Sequence, residues 1–440
     1  MKLKDSLSGA IKPVSPSYVS IYACGITPYS SAHVGHARTY VVFDLLARVL
    51  RAQGHVVDLA RNITDIDDKI IAAAHAQGVA WHELANRYAQ ENRDLMLATG
   101  LQVPLEPKAS AHLPQIFDLV RALLDKGLAY VAESGDVLYR VSAYQGQLLM
   151  QHKQGSLRSE QGASRVDAPE KEDARDFALW KSMPPDAVGF ESPWGWGRPG
   201  WHIECSAMIG ELFGGAVTIH GGGVDLKFPH HQAEIMQSEP VFGRPLADIW
   251  MHNGSVLSDG QKMSKSLGNY LTWQAALDKA DALAPGQGGT LLRLALLQAH
   301  WQKPLDWTDD LLVATRDELV KLSRAAAQAP LSPGMGPDAL LAQLDDNLNT
   351  PAAWVHLRAQ ARAGQLDALH AGLTFLGVDV EAWAQLGAHA AAPAGQADQV
   401  AQLQAQRQQA RQDKNWPLAD ALREQLRALG ADVQDARTGG

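Results

Sequence analysis

Apolar positions along the chain switch between two spacings, and each switch marks an element. Tyr18, Val19, Ile21, Tyr22 and Ala23 form a short apolar run of strand composition. Gly25 and Pro28 break it. After His33-Val34-Gly35-His36, the residues Val41, Val42, Leu45, Leu46, Val49 and Leu50 recur at helical spacing, which predicts a helix over 37–53. His55 to Arg61 reads as a returning strand, giving a βαβ unit with a right-handed crossover. A strand that ends in a glycine-containing turn and opens a helix is where an α/β sheet presents backbone N–H groups to phosphate.

The loop Asn62–Lys69 follows at the carboxyl end of the second strand, with Thr64 or Asp65 as the expected helix cap. Helical patterns cover Trp81 to Ala98 and Leu113 to Leu128. Tyr130-Val131 and Val137 to Val141 predict a hairpin around Gly135. Residues 142–200 are rich in Gly, Ser, Gln and charge, and read as an insertion between the two halves of the sheet. Val217 to Asp225 is a short strand ending in a glycine run, a second ligand edge of that sheet. Pro229 is expected at the first position of a helix that carries His230 and Glu234 one turn apart. Trp250 to Val256 predicts a further strand. After Asn269 the pattern is almost wholly helical, with linkers near 325–338 and 388–398. A last helix from Asp398 to Leu429 would carry Arg407, Arg411 and Lys414 on one face, which fits a solvated charged surface. The fold class expected is α/β: a parallel-sheet, Rossmann-type nucleotide-binding domain with an insertion, followed by an all-α C-terminal region.

Composition narrows the picture. The chain has 440 residues, of which 46% are hydrophobic and 20% charged, enough for large cores and against disorder. No apolar run approaches the ~20 residues that span a bilayer, and no signal-peptide core is visible, so a soluble cytoplasmic protein is expected. A net charge of −9 argues against indiscriminate nucleic-acid binding, though a local basic face is compatible with RNA. Two cysteines, Cys24 and Cys205, cannot build a disulfide framework.

The candidate chemistry begins with two motifs. His33-Val34-Gly35-His36 offers two imidazoles to phosphate oxygens, and Gly35 lets a flat base approach the backbone. Lys262-Met-Ser-Lys265-Ser266 places two lysines in a short loop that can close over a triphosphate. Alone, the first is a common helix start and the second a solvated basic loop. Together they resemble the signature of class I aminoacyl-tRNA synthetases. A separate set, Cys24, Cys205, His230 and Glu234, has the right chemistry for tetrahedral zinc. Spacing alone fits two buried cysteines and a helix-capping histidine equally well.

The segments around these residues, GWHIECSAM, HGGGVDLKFPHH and the stretch from Lys414 to Asp420, resemble cysteinyl-tRNA synthetases over most of the chain. The resemblance implies that Cys24, Cys205, His230 and Glu234 hold one zinc ion, which also takes the substrate's thiolate. It implies that Trp201 flanks the bound side chain, Thr64 lines its pocket, Asp225 takes the ammonium and Gly25 lets the amino acid approach the strand end. His33, Gly35, His36, Lys262 and Lys265 would serve ATP and its Mg²⁺. The implied partners are L-cysteine, ATP and tRNA(Cys), with a monomer expected. The implied division is 1–110 and 201–260 for the halves of the catalytic domain and 111–200 for the insertion. Residues 261–308 would form the KMSKS loop and stem-contact region, 309–390 a helical tRNA-binding bundle and 391–440 an anticodon-binding region. The sequence departs from the family's pattern at Ala282–Gly289, and at Arg437–Gly440, where relatives often continue with an aromatic and basic tail. Rival readings are a ligase joining cysteine to an amino-sugar on the same fold, a non-catalytic RNA-binding protein with structural zinc, and a small nucleotidylyltransferase.

Overall fold

The computed structural model describes residues 1–150, 171–263, 269–329, 331–332, 334–386, 402–407, 409–410 and 415–428. Its centre is a parallel sheet of β1 (Tyr18–Ile26), β2 (Val56–Ile63), β3 (Val217–Gly223) and β4 (Ala247–Asn253), in the spatial order β4-β3-β1-β2. Ile21 sits between Leu59 of β2 and Ile219 of β3. The strand order therefore reverses between β1 and β3. Right-handed crossovers then require the helix after β1 and the helix after β3 to lie on opposite faces. These are α1 (Val34–Ala52) and α3 (His230–Phe242), and α2 (Trp201–Phe213) precedes β3.

The side-chain alternation of β1 separates two cores. Val19, Ile21 and Ala23 join α1 and the helical C-terminal half, including Trp273, Leu291 and Leu294, in one cluster. Tyr22 and Cys24 point the other way and pack with Cys205, Met208 and Ile235 from α2 and α3. The insertion forms an antiparallel sheet of Ala129–Val131, Val137–Tyr139, Phe177–Ser182 and Gly197–Pro199. Its core is shared with Ile203 and Ala207 of α2 and with Ala233 and Met236 of α3.

Several local expectations shift. α1 begins at Val34, because His33 serves as its N-cap. The helix after β2 is capped by Asp67, whose side chain accepts the Lys69 N–H, rather than by Thr64 or Asp65. Asp65 instead accepts from the Ser110 N–H (2.9 Å) and hydroxyl. Pro229 lies just outside α3, which starts at His230. The expected long final helix is interrupted. Asn415 is non-helical and its Oδ1 accepts the Leu418 N–H at 3.4 Å, so a new helix starts at Trp416 with Pro417 in its first turn. Arg411, Lys414 and the 388–398 linker lie outside the described residues.

The N-terminal hairpin, Lys2–Lys4 with Ile11–Pro13, carries no apolar run, and its strands escape pattern reading. Asp5 ties it to β4. Its fully buried carboxylate accepts from the Trp250 N–H (2.9 Å), the Ser8 N–H (3.0 Å) and Lys12 (2.7 Å). Burial works to raise this carboxyl, but Lys12 and the hydrogen bonds outweigh it and hold it at about 2. A carboxylate with a depressed folded pKa stabilises above its unfolded value and loses that contribution as pH falls through the folded one. Asp5→Asn should therefore cost about 2 kcal/mol near neutral pH. In urea unfolding, the gap to wild type should narrow below pH 4.

Candidate metal centre and nucleotide site

Cys24 lies near the end of β1, on the face turned to α2 and α3. Those helices are buried along most of their length, so the polar residues they carry are enclosed rather than solvated. The donor atoms of Cys24, Cys205, His230 and Glu234 all lie within 4.8 Å of one another, and all four residues are buried. The two sulfurs are 3.9 Å apart, and Cys24 Sγ is 3.6 Å from Glu234 Oε1. About a tetrahedral zinc, two sulfurs lie ~3.8 Å apart and a sulfur–oxygen pair ~3.5 Å. Both separations match closely. His230 Nε2 and Glu234 Oε1 stand at 2.8 Å, a hydrogen-bonded contact that would open by about half an ångström for both to bind one ion.

The electrostatics are those of a site holding protons that a cation would displace. Burial pushes the Cys24 thiol up, and Cys205 and Glu234 add to that. Burial acts the same way on Cys205, but Cys24 and His230 outweigh it and bring that thiol down. Burial works against the His230 cation, yet Glu234 and Cys205 raise it to about 10. Glu234, despite burial, is held well below the usual carboxylate range by His220 and His230.

Four histidines around the cluster were not singled out from the sequence. His220, at the middle of β3, faces the Tyr22 carbonyl through Nδ1 (2.9 Å) and Glu234 through Nε2. His231 Nε2 lies 3.3 Å from Cys24 Sγ, and its Nδ1 lies 2.7 Å from His252 Nε2 on β4. His202 Nδ1 lies 2.9 Å from His230 Nδ1. The available signal was a histidine inside an otherwise apolar buried strand, where a polar side chain needs a partner.

Around this cluster stand the remaining expected residues. Trp201 opens α2 and stacks on His230, with ring centroids 4.4 Å apart, while staying 38% exposed. Thr64 is buried and its hydroxyl accepts from Asn62 at 3.1 Å. Asp225 is exposed just beyond the end of β3. At Gly25 a Cβ would lie 1.8 Å from the Asn62 carbonyl oxygen, so only glycine permits the approach of β2 there.

The nucleotide motif occupies the N-terminus of α1, beside the reversal in strand order, where open α/β sheets bind ligands. His33 Nδ1 accepts the Gly35 N–H (3.0 Å), and His36 Nδ1 accepts the His33 N–H (3.2 Å). The Val34 N–H goes to the Leu271 carbonyl. The backbone donors expected to meet phosphate at this turn are thus engaged within the turn and with Leu271. A neutral ring that accepts through Nδ1 carries its proton on Nε2. Burial and the neighbouring His33 hold His36 down at about 3, so it is neutral.

The segment that follows the second motif docks on the first. Tyr270 to Thr272, immediately after KMSKS, pairs with the HVGH turn: the Trp273 N–H donates to the Ala32 carbonyl at 2.8 Å, and His33 bridges Thr272. The backbone of Lys262 closes a small strand, Gln261–Lys262, while Lys265 lies outside the described residues.

Residues 10–317 match the family described as tRNA synthetases class I (C) catalytic domain, and residues 395–439 match the cysteinyl-tRNA ligase anticodon binding domain. The chain is 39% identical over 465 residues to the cysteine–tRNA ligase of Shewanella amazonensis, spanning 100% of this chain and 98% of that protein. It is 41% identical over 470 residues to that of Parvibaculum lavamentivorans, with spans of 100% and 97%. The chain belongs to the cysteine–tRNA ligase family. Members are class I aminoacyl-tRNA synthetases, which take tRNA, an amino acid and ATP. The fold is similar to that of Mycobacterium tuberculosis methionyl-tRNA synthetase in complex with methionyl-adenylate (TM-score 0.59, 17% identity, spans of 84% and 90%). It is also similar to a leucyl-tRNA synthetase in a ternary complex from Agrobacterium radiobacter (TM-score 0.55, 12% identity, spans of 85% and 85%). The match over 395–439 disfavours the reading as an amino-sugar ligase. No helix among the described residues is long and apolar enough to cross a membrane.

Proposed function

We propose that this ligase activates L-cysteine with ATP to cysteinyl-adenylate and passes the cysteinyl group to the 3′ end of tRNA(Cys). In this reading Cys24, Cys205, His230 and Glu234 hold one zinc ion. When bound, zinc favours a thiolate over a hydroxyl and thereby distinguishes cysteine from serine. Pocket shape alone distinguishes such near-isosteres only modestly. The observation that carries the reading is the convergence of two thiols, an imidazole and a carboxylate from β1, α2 and α3 within 4.8 Å.

The protein's own groups do the remaining work. Asp225 receives the substrate ammonium, Trp201 covers the side chain, and Thr64 and Gly25 line the approach. The substrate carboxylate is already ionised, so no general base is needed. Attack on the α-phosphorus requires in-line positioning and neutralisation of charge. His33 and His36 donate Nε2–H to phosphate oxygens, Gly35 gives the base room, and Lys262 and Lys265 supply positive charge beside the Mg²⁺ that accompanies ATP. A monomer working in the cytoplasm suits this role, as does the domain division set out above.

Cysteine-dependent ATP–pyrophosphate exchange tests the reading. Chelating the metal should lower exchange by at least ~100-fold, because disturbing even a group that orients a metal ligand costs 10–100-fold. Adding zinc should restore it, and serine should not compete. Unchanged exchange in metal-free protein would refute the assignment. A chain cut after Ala390 should keep exchange within a few-fold of wild type and lose most aminoacylation. Equal losses in both would show that the C-terminal part does not serve tRNA.

A further inference from the structure

Among the buried charges of the described residues that the four proposed zinc donors and the two sequence motifs do not use, one lies beside both motifs. Arg38 follows His36 by two residues on α1 and is fully buried. No carboxylate among the described residues pairs with it. Its guanidinium instead grips four backbone carbonyls. Nη1 donates to Gly254 (2.9 Å) and Ser255 (2.9 Å), and Nη2 donates to His300 (3.2 Å) and Lys303 (2.7 Å). These carbonyls belong to two adjoining segments already tied together. The Gly254 N–H donates to the Trp301 carbonyl, and Val256–Ser258 runs parallel to Leu305–Trp307. From there Val256–Ser258 turns back antiparallel into Gln261–Lys262, the threshold of the KMSKS sequence. The chain beyond KMSKS is docked separately, through Tyr270 to Thr272, onto the HVGH turn.

We propose that Arg38 is a positioning residue for adenylate formation: it fixes the hairpin that ends at Lys262 against the helix that begins with the HVGH turn. This rests on the reading of those two motifs as the groups that handle ATP. A buried cation is expensive, and an apolar residue of similar volume would fill the same space at lower cost. What an apolar residue cannot supply is a rigid planar fork that sets four carbonyls at fixed distances from α1. One side chain thereby links the spacing of His36 to that of the strand carrying Lys262. Misplacing reacting groups by about 1 Å can cost ~100-fold in rate.

The test uses zinc-loaded full-length protein and exchange rates per titrated active site. Arg38→Lys keeps the charge but cannot span the four carbonyls. Its kcat should fall ~10–100-fold with a raised KM for ATP, while KM for cysteine and zinc content stay at wild-type values. A purely structural role would lower the melting temperature and the number of active sites yet leave kcat per site unchanged, and that result would overturn the proposal. Gly254→Ala is the independent variant should Arg38→Lys not fold. Its Cβ would lie 2.4 Å from the Lys303 carbonyl oxygen, displacing the same gripped carbonyls without touching Arg38. The same split between ATP and cysteine is expected, and wild-type kcat per site would overturn the idea. His36→Ala and Lys265→Ala serve as controls. If neither slows exchange, the motif assignment itself has failed and the proposal falls with it. If both do and the Arg38 and Gly254 variants do not, the fault lies with Arg38 alone.

Discussion

Cys205→Ser will lose bound metal and lower cysteine-dependent exchange on the order of 10³-fold, since losing a donor should exceed the 10–100-fold cost of losing a group that merely orients one. Cys205 is 1% exposed and its sulfur stands 3.9 Å from that of Cys24. Serine keeps the shape and removes the soft donor, leaving an oxygen that holds zinc poorly in neutral form. The readout is threefold: zinc per chain, exchange rate, and preference for cysteine over serine. That preference should collapse to about 100-fold or less, the range accessible to pocket shape. Melting temperature provides the control, because the replacement is small and the surrounding core of Tyr22, Met208 and Ile235 is unchanged. Full zinc content with wild-type discrimination in this variant would remove the physical basis for substrate choice.

His36→Ala should lower kcat for adenylate formation by ~10²–10³-fold, the usual cost of deleting one donor aimed at developing charge. KM for cysteine should stay near wild type, because His36 belongs to the HVGH turn and not to the four-donor cluster. The same substitution removes a helix cap, since His36 accepts the His33 N–H, at a cost of ~1 kcal/mol. The two effects separate with His36→Asn. The amide oxygen replaces Nδ1 as the acceptor, so stability recovers, while the reach of Nε2 is lost and exchange remains slow. Because His36 is neutral, with its pKa held at about 3, its loss should leave the pH profile of exchange without a new inflection between pH 5 and 8. Wild-type kcat in both variants would show that the ring serves the helix alone.

The βαβ core was legible in the sequence because it rests on strong local signals. A short apolar run of strand composition located β1, helical spacing located α1 and a returning apolar run β2, and His230 and Glu234 share a helical face by spacing alone. Cys24 and Cys205 are different. They are 181 positions apart, and only the alternation of β1 against α2 decides that they meet. Motif resemblance supplied that pairing where periodicity could not. Arg38 was illegible for a physical reason: a charged residue in a helix normally marks the solvent side, and α1 has almost no solvent side, being buried by the sheet and the C-terminal helices together. The same holds for His220 and His231, polar residues enclosed by partners from distant elements. The Asp67 cap was missed within a run of acidic residues, any of which could fill the position. Phe177–Ser182 and Gly197–Pro199 fell inside a stretch whose composition reads as loop, and each is too short to show a period.

The insertion is more than an appendage between two halves. Phe177, Leu179 and Trp180 share their apolar core with Ile203 and Ala207 beside Cys205, and with Ala233 and Met236 around Glu234. The two helices that carry Cys205, His230 and Glu234 are therefore propped from outside the nucleotide fold. A stripped-down catalyst made by splicing out residues 113–199 would keep its βαβ scaffold and its HVGH turn, but would leave Cys205, His230 and Glu234 on helices with no floor beneath them. Any shrinking of this enzyme has to begin elsewhere.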